Sequence, residues 1–279
     1  MNKTTIRVAH SPDSDDAFMF YALATRKIDT GELVYEHTLS DIETLNKKAM
    51  SGDGEYEVSA ISFHAYAYLA DRYALLASGG SVGRNYGPIL VSRKPLARED
   101  IRKTRIAIPG TMTTAYLALR LYEPEFEYEV VAFDRILEEM AKGEYEAGLL
   151  IHEGQLTYRD DGFQKVVDLG EWWQEETGLP LPLGCNVIRR DLGPAMMKRI
   201  SGHIRESIQY ALDHRDEALE YALSFSRGLD EQRADRFVGM YVNDLTLDYG
   251  TDGKKGIRKL LQEAYKKGLI PEAPPISFV

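Results

Sequence analysis

Short apolar runs alternate with helical stretches along most of this chain, and that alternation constrains the fold more than any other feature. It is typical of β-strands joined by crossover helices. Residues 6–10, 33–39 and 147–151 read as strands. The pair Ser40 and Glu43 has the spacing of a capping box and predicts that a helix starts there. The sequence therefore predicts an α/β protein with mainly parallel strands.

The length of 279 residues favours two lobes, because a single domain usually has roughly 100 to 200 residues. Strand signals fade after residue 189, and the helices that follow are predicted to pack back on the first lobe. We therefore expect a discontinuous first lobe, residues 1–92 plus 192–279, and an inserted second lobe, residues 93–191. Two crossing strands would join the lobes around a central cleft.

The net charge of −10 and the isoelectric point near 5.2 disfavour broad contact with nucleic acid or an anionic membrane surface. Cys185 is the single cysteine, which excludes an intrachain disulfide. The first residues lack the apolar stretch of a signal peptide, and no run of 18 apolar residues follows. These features predict a cytoplasmic protein without nucleic-acid or membrane partners.

Four polar segments follow predicted strands, at the sheet edge where α/β proteins usually bind ligands. They are residues 10–16, Ser62, residues 110–114 and residues 152–154. The hydroxyls near Thr113 could hold a carboxylate or phosphate at a helix start, or could simply cap that helix. Ser62 allows the same two interpretations. The aspartates at 13, 15 and 16 are predicted to cap the first helix.

His152 ends a buried apolar run, where its ring would face a cleft. Its ordinary pKa suits a general base or acid. The alternative is a core histidine satisfied by hydrogen bonds. No histidine or cysteine pair has metal-ligand spacing, and the glycines at 79–87 lack the lysine and hydroxyl of a phosphate loop. We predict no metal, and nucleotide binding is disfavoured.

Several segments together resemble the menaquinone-biosynthesis enzymes of the futalosine route, particularly the 1,4-dihydroxy-6-naphthoate synthases. The likeness spans nearly the whole chain and rests on the motifs SPDSDDAFMFYAL, DIETLN, ISFHAYAYLADRYALLASGGSVGRNYGP, PGTMTTAYLAL, GEYEAGLLIHEGQLTY, VVDLGEWW, TGLPLPLG and YVNDLTLD. The resemblance implies a fold like that of type II periplasmic solute-binding proteins. It also implies cofactor-free cleavage of an anionic substrate, cyclic dehypoxanthine futalosine, to the naphthoate with release of a three-carbon fragment.

The resemblance carries over to individual residues. His152 matches the family histidine of the I-H-E segment and would be the general base, while substrate contacts would come from five residues: Ser11, Ser62, Arg84, Thr113 and Thr114. The chain departs from the family's usual S-P-C-P-N-D opening at residues 13–15, and Ala60 stands where a basic residue is common. Two alternatives stay open, a chorismate dehydratase-like relative and a noncatalytic solute-binding protein for small anions.

Overall fold

The protein is represented by a computed structural model that describes residues 3–52, 56–225 and 231–279. Its strands form two separate sheets, each covered by helices. The strands are β1 Thr4–His10, β2 Leu33–Leu39, β3 Val58–Ser62, β4 Tyr73–Leu75, β5 Ser81–Gly83, β6 Ile89–Ser92, β7 Arg105–Ile108, β8 Glu127–Val130, β9 Ala147–Leu150, β10 Gln164–Asp168 and β11 Leu181–Arg189.

The first sheet has the order β2-β1-β3-β11-β4, with β5 paired to β11. Strand β1 is parallel to β2 and β3, whereas β11 is antiparallel to β3, β4 and β5. The second sheet has the order β10-β6-β9-β7-β8. There β7 is parallel to β8 and β9, whereas β6 is antiparallel to β9 and β10. The predicted α/β class is confirmed, but both sheets are mixed because the crossing strands run against their neighbours.

Twelve α-helices lie within the described residues. Their bounds are α1 Ser14–Ala24, α2 Ile42–Ser51, α3 Phe63–Tyr66, α4 Thr114–Tyr122, α5 Ile136–Lys142, α6 Gly154–Thr157, α7 Leu169–Thr177, α8 Gly193–Asp213, α9 Arg215–Leu223, α10 Glu231–Tyr241, α11 Asp244–Leu247 and α12 Gly250–Lys266. Short 3-10 helices span 98–103, 133–135 and 190–192.

Strand pairing places the crossings between the lobes a few residues away from the predicted boundaries. Strand β6 lies within predicted residues 1–92 but pairs with β9 and β10 in the second sheet. Strand β11 lies within predicted residues 93–191 but pairs with β3 in the first sheet. By sheet membership, the chain therefore enters the second lobe after β5 and leaves it before β11.

Helix α2 begins one residue later than the predicted capping box implies. Its N-cap is Asp41, whose side chain accepts a hydrogen bond from the Thr44 backbone N–H at 3.0 Å. Glu43 does not reach back to the cap. Its carboxylate accepts a hydrogen bond instead from the Met112 backbone N–H, at 3.1 Å, in the loop that precedes α4. Glu43, in the first turn of α2, therefore binds the loop before α4 in the second lobe.

The largest cluster of buried apolar side chains contains residues of both sheets. Ile61 and Val187 belong to the first sheet, and Leu90, Ile106 and Leu149 belong to the second. Because burial of apolar surface is the main stabilising contribution to folding, the two lobes share part of their core. Apolar packing therefore continues from one lobe into the other.

Candidate active site

A cavity lies between the two sheets and is lined by residues from both lobes. It contains about 710 Å³ of space outside protein atoms, including open solvent. Ser11 follows β1 and Ser62 ends β3 in the first lobe, while Thr114 begins α4 and His152 follows β9 in the second lobe. Strand ends that are distant in sequence therefore converge on one space, as expected for α/β sheets.

Five of the six candidate site residues line this cavity: Ser11, Ser62, Thr113, Thr114 and His152. Arg84 does not. It is exposed in the turn after β5, where Asn85 has a positive φ of 56°. Ser81 of β5 lines the cavity, but the turn that follows this strand does not. The structure therefore gives no support to substrate binding by Arg84.

His152 has an unusual backbone conformation for a non-glycine residue, with φ of 58°. Its ring lies edge-on to Phe133, with 4.7 Å between the ring centres. Nδ1 is 2.8 Å from Oδ2 of Asp13, whereas Nε2 has no hydrogen-bond partner among the described residues. The side chain is 16% exposed and lines the cavity. His152 is therefore not enclosed in apolar packing.

The surroundings of His152 favour its protonated form. Burial lowers the pKa of the ring, but the carboxylates of Asp13, Glu153 and Asp15 outweigh this effect and raise the pKa to about 9. The hydrogen bond to Asp13 contributes to the increase. The neutral form of such a basic imidazole accepts a proton readily and then holds it strongly.

The aspartates of the opening turn do not make the predicted capping hydrogen bond to α1. Asp13 is at the N-cap position of α1, but its side chain makes no capping hydrogen bond. Its carboxylate contacts Ser11 Oγ and His152 Nδ1 instead. Asp16 accepts a hydrogen bond from the Ser11 backbone N–H at 2.7 Å. Asp15 and Asp16 line the cavity.

Burial raises the pKa of both cavity-lining aspartates. The pKa of Asp16 reaches about 7, with Asp13 adding to the increase and the Ser11 backbone N–H opposing it. The pKa of Asp15 lies well above its ordinary value because Asp16 and Asp13 repel a further negative charge. Near neutral pH this wall of the cavity therefore carries less negative charge than three ionised carboxylates would give.

Ser62 is held by a side chain that sequence inspection did not single out. Asn46 on α2 accepts a hydrogen bond from the Ser62 backbone N–H at 2.8 Å and donates one to Ser62 Oγ at 3.1 Å. Asn46 Nδ2 also lies 3.2 Å from the carbonyl oxygen of Met112, in the other lobe. Ser62 makes no capping hydrogen bond to α3. Its hydroxyl therefore has a proton available for a ligand.

The two adjacent threonines have different roles. Thr113 is the N-cap of α4, because its Oγ1 accepts from the Tyr116 backbone N–H at 3.1 Å and donates to the Gly110 carbonyl at 2.9 Å. Thr114 is also buried, but its Oγ1 has no hydrogen-bond partner within the described parts of the chain. The capping interpretation therefore applies to Thr113, and Thr114 is the hydroxyl free to bind a ligand.

The cavity lining also includes polar residues that the sequence did not indicate, among them Gln155 and Asn186. Gln155 on α6 donates a hydrogen bond of 2.7 Å to the hydroxyl of Tyr241 on α10. Asn186 on β11 donates to the carbonyl of Gly79 at 2.9 Å. No lysine or arginine is found among the described residues that line the cavity, and Ala60 is one of them. A bound anion would therefore depend on hydroxyls, the start of α4 and His152.

Among residues 3–52, 56–225 and 231–279, no group of three or more histidine, cysteine, aspartate or glutamate side chains is arranged to hold a metal ion. In the same ranges, no helix is both long and apolar enough to span a membrane.

The fold and the interlobe cavity define a class, the two-lobed α/β proteins with a periplasmic-binding-protein fold. An alkanesulfonate-binding protein from Xanthomonas axonopodis pv. citri has this fold, with a TM-score of 0.74 over all of both chains at 11% identity. A solved protein from Archaeoglobus fulgidus is 50% identical, with a TM-score of 0.91 over 95% of this chain and 98% of its own.

A family model described as menaquinone biosynthesis matches residues 6–266. Two relatives named 1,4-dihydroxy-6-naphtoate synthase match almost end to end. The relative from Thermus thermophilus is 42% identical over 98% of this chain and 99% of its own length, and the relative from Streptomyces coelicolor is 36% identical over 99% and 98%. The chain belongs to the 1,4-dihydroxy-6-naphthoate synthase family, enzymes of menaquinone biosynthesis.

Proposed function

We propose that this protein is a carbon–carbon lyase that converts cyclic dehypoxanthine futalosine to 1,4-dihydroxy-6-naphthoate, with His152 as the general base. The single observation that carries the proposal is that His152 lines the cavity between the lobes while its buried Nε2 has no hydrogen-bond partner among the described residues. The names of the two full-length relatives supply the product. The substrate is the anionic compound that the family resemblance implies.

In this mechanism the neutral ring of His152 takes a proton from the bound substrate through Nε2 and becomes an imidazolium. Asp13 stabilises the new positive charge, since its carboxylate lies 2.8 Å from Nδ1. Loss of the proton starts the fragmentation, in which a carbon–carbon bond breaks and the three-carbon fragment leaves as the naphthoate forms. No cofactor is required for these steps, because a positioned base of this strength supplies the proton transfer.

The remaining cavity residues would bind and orient the substrate. The Ser62 and Thr114 hydroxyls can donate hydrogen bonds to a carboxylate, and the amino-terminal end of α4 favours negative charge at the same place. Ser11 is less available, because its backbone N–H binds Asp16 and its hydroxyl contacts Asp13. We therefore expect Ser11 to organise the aspartate turn rather than contact the substrate strongly.

The proposal is tested by incubating purified protein with cyclic dehypoxanthine futalosine and following the naphthoate product by its absorbance. Parallel incubation with chorismate distinguishes the dehydratase-like alternative. Naphthoate formed in proportion to enzyme concentration supports the lyase. Binding of either compound without turnover would identify a solute-binding protein, and turnover of chorismate alone would assign the other enzyme class.

A further inference from the structure

The candidate base and its carboxylate partner come from different lobes. Asp13 lies in the turn between β1 and α1, beside the first sheet, whereas His152 follows β9 of the second sheet. Their side chains meet across the cleft, with 2.8 Å between Oδ2 and Nδ1. The Asp13 side chain is completely buried. The contact is therefore an interlobe ion pair shielded from solvent.

We propose that Asp13 is the positioning residue for His152, holding the ring across the cleft with Nδ1 protonated and Nε2 directed to the substrate. This inference rests on the proposed function, in which His152 removes a proton. It adds a role for a first-lobe residue at one of the positions where the chain departs from the usual family motif.

The first support is that the Asp13 side chain does not cap helix α1. An aspartate at a helix N-cap usually accepts a hydrogen bond from the first turn, worth about 1 kcal/mol. Asp13 occupies that position of α1 without a capping side-chain hydrogen bond. Its carboxylate is directed to His152, with Ser11 Oγ as a further neighbour. The Asp13 side chain is therefore oriented towards His152 and not towards the first turn of α1.

The second support is the backbone of His152. A positive φ of 58° is unfavourable for a side chain of this size, and such conformations cost about 1–3 kcal/mol and cluster at functional sites. Here the conformation accompanies a ring held between Phe133 on one side and Asp13 on the other. With Nδ1 bound to the carboxylate, the neutral ring must present the lone pair of Nε2.

The third support is the charge distribution around the ring. The acidic groups that act on His152 are Asp13, Asp15, Asp16 and the neighbouring Glu153. Of these, Asp13 raises the pKa of the ring most. Because the pKa of Asp15 and of Asp16 is itself raised, these two carboxyls are poorer partners for a cation near neutral pH. Asp13 is also the carboxyl in direct contact with the ring, 2.8 Å from Nδ1.

The test is the titration of His152 in ligand-free protein, followed by NMR of isotope-labelled histidine and assigned with a His152→Gln variant. The wild-type midpoint is expected at about 9. In Asp13→Asn the midpoint should fall by about 1 to 3 pH units, the range produced by losing a close opposite charge. Asp168→Asn is the matched control, since Asp168 is a buried helix-cap carboxyl that does not line the cavity. It should leave the His152 midpoint unchanged.

A kinetic measurement separates positioning from a structural role. Measured above about pH 9, where the ring is neutral in both proteins, Asp13→Asn should lower kcat by about 10- to 100-fold, as expected for groups that orient a functional histidine, with KM changed less than about threefold. A normal kcat in a variant with a shifted midpoint would overturn the positioning role.

The titration needs no substrate, so it stands even if the assigned substrate is wrong. An unchanged His152 midpoint in Asp13→Asn would overturn the pairing. If that variant does not fold, the wild-type titration decides, because a midpoint at or below the ordinary value of about 6.5 would contradict the ion pair.

Discussion

At the scale of single residues, the proposed proton transfer requires that His152 present the lone pair of Nε2 to the substrate. Replacing it in His152→Ala should reduce kcat by at least about 100-fold, because a positioned base contributes that much or more. His214→Ala is a suitable control, since His214 is exposed at the end of α8 and does not line the cavity. Turnover of His152→Ala at the wild-type rate would remove the proposed base from the mechanism.

The adjacent threonines provide a matched pair of substitutions. Thr113→Val removes the α4 cap and should lower the free energy of unfolding by about 1 kcal/mol with little change in KM. Thr114→Val removes a hydroxyl that has no partner in the described structure, so stability should hold while KM rises about 3- to 10-fold. Urea unfolding and steady-state kinetics measure both effects. A higher KM in Thr113→Val with an unchanged KM in Thr114→Val would show that Thr113 binds the substrate.

Sequence reasoning located most of these residues but not their partners. His152 was predictable because a short apolar run ended at a titratable side chain, and Thr113 and Thr114 because hydroxyls preceded an amphipathic helix. Asp13 was predicted only as a helix cap. Its contact with His152 depends on how the two lobes meet, and no local pattern encodes that arrangement.

At the scale of secondary-structure elements, helix α2 links the first lobe to the loop before α4. Asn46 satisfies the Ser62 backbone N–H and also reaches the Met112 carbonyl. Asn46→Ala would leave buried polar groups unpaired, so we expect a loss of about 1–3 kcal/mol in the free energy of unfolding and a higher KM. Lys47→Ala, one position along on the exposed face, should cost no more than about 1 kcal/mol. Equal effects in urea unfolding would contradict this role for Asn46.

Elements with a strong period were predicted well, and the shortest ones were not. Residues 105–108 predict a strand, and the apolar spacing of residues 136–141 before Gly143 predicts a helix. Strand β7 and helix α5 match these two predictions. Strands β4 and β5 were missed, since each has three residues and neither can display a period. The aromatic-rich residues 63–73 predict one helix, but α3 ends at Tyr66 and the chain continues through turns into β4.

At the scale of the whole molecule, the two-lobed α/β fold followed from length and from the alternation of strands and helices. The exact crossings did not, because β6 and β11 are apolar strands whose sequences fit either sheet. Only hydrogen-bond pairing assigns β6 to the second sheet and β11 to the first. The same crossings bring Asp13 into contact with His152, which lines the cavity, so the proposed chemistry belongs to the assembled pair of lobes.

The central claim is that His152, made strongly basic by carboxylates across the cleft, must lose its proton before it can act. The most direct measurement is kcat/KM for naphthoate formation by the wild-type protein between about pH 6 and 10, since this parameter reports the free enzyme. We expect kcat/KM to rise about tenfold per pH unit and to level off near pH 9. A rate that is constant or falls over this range would contradict His152 as the base.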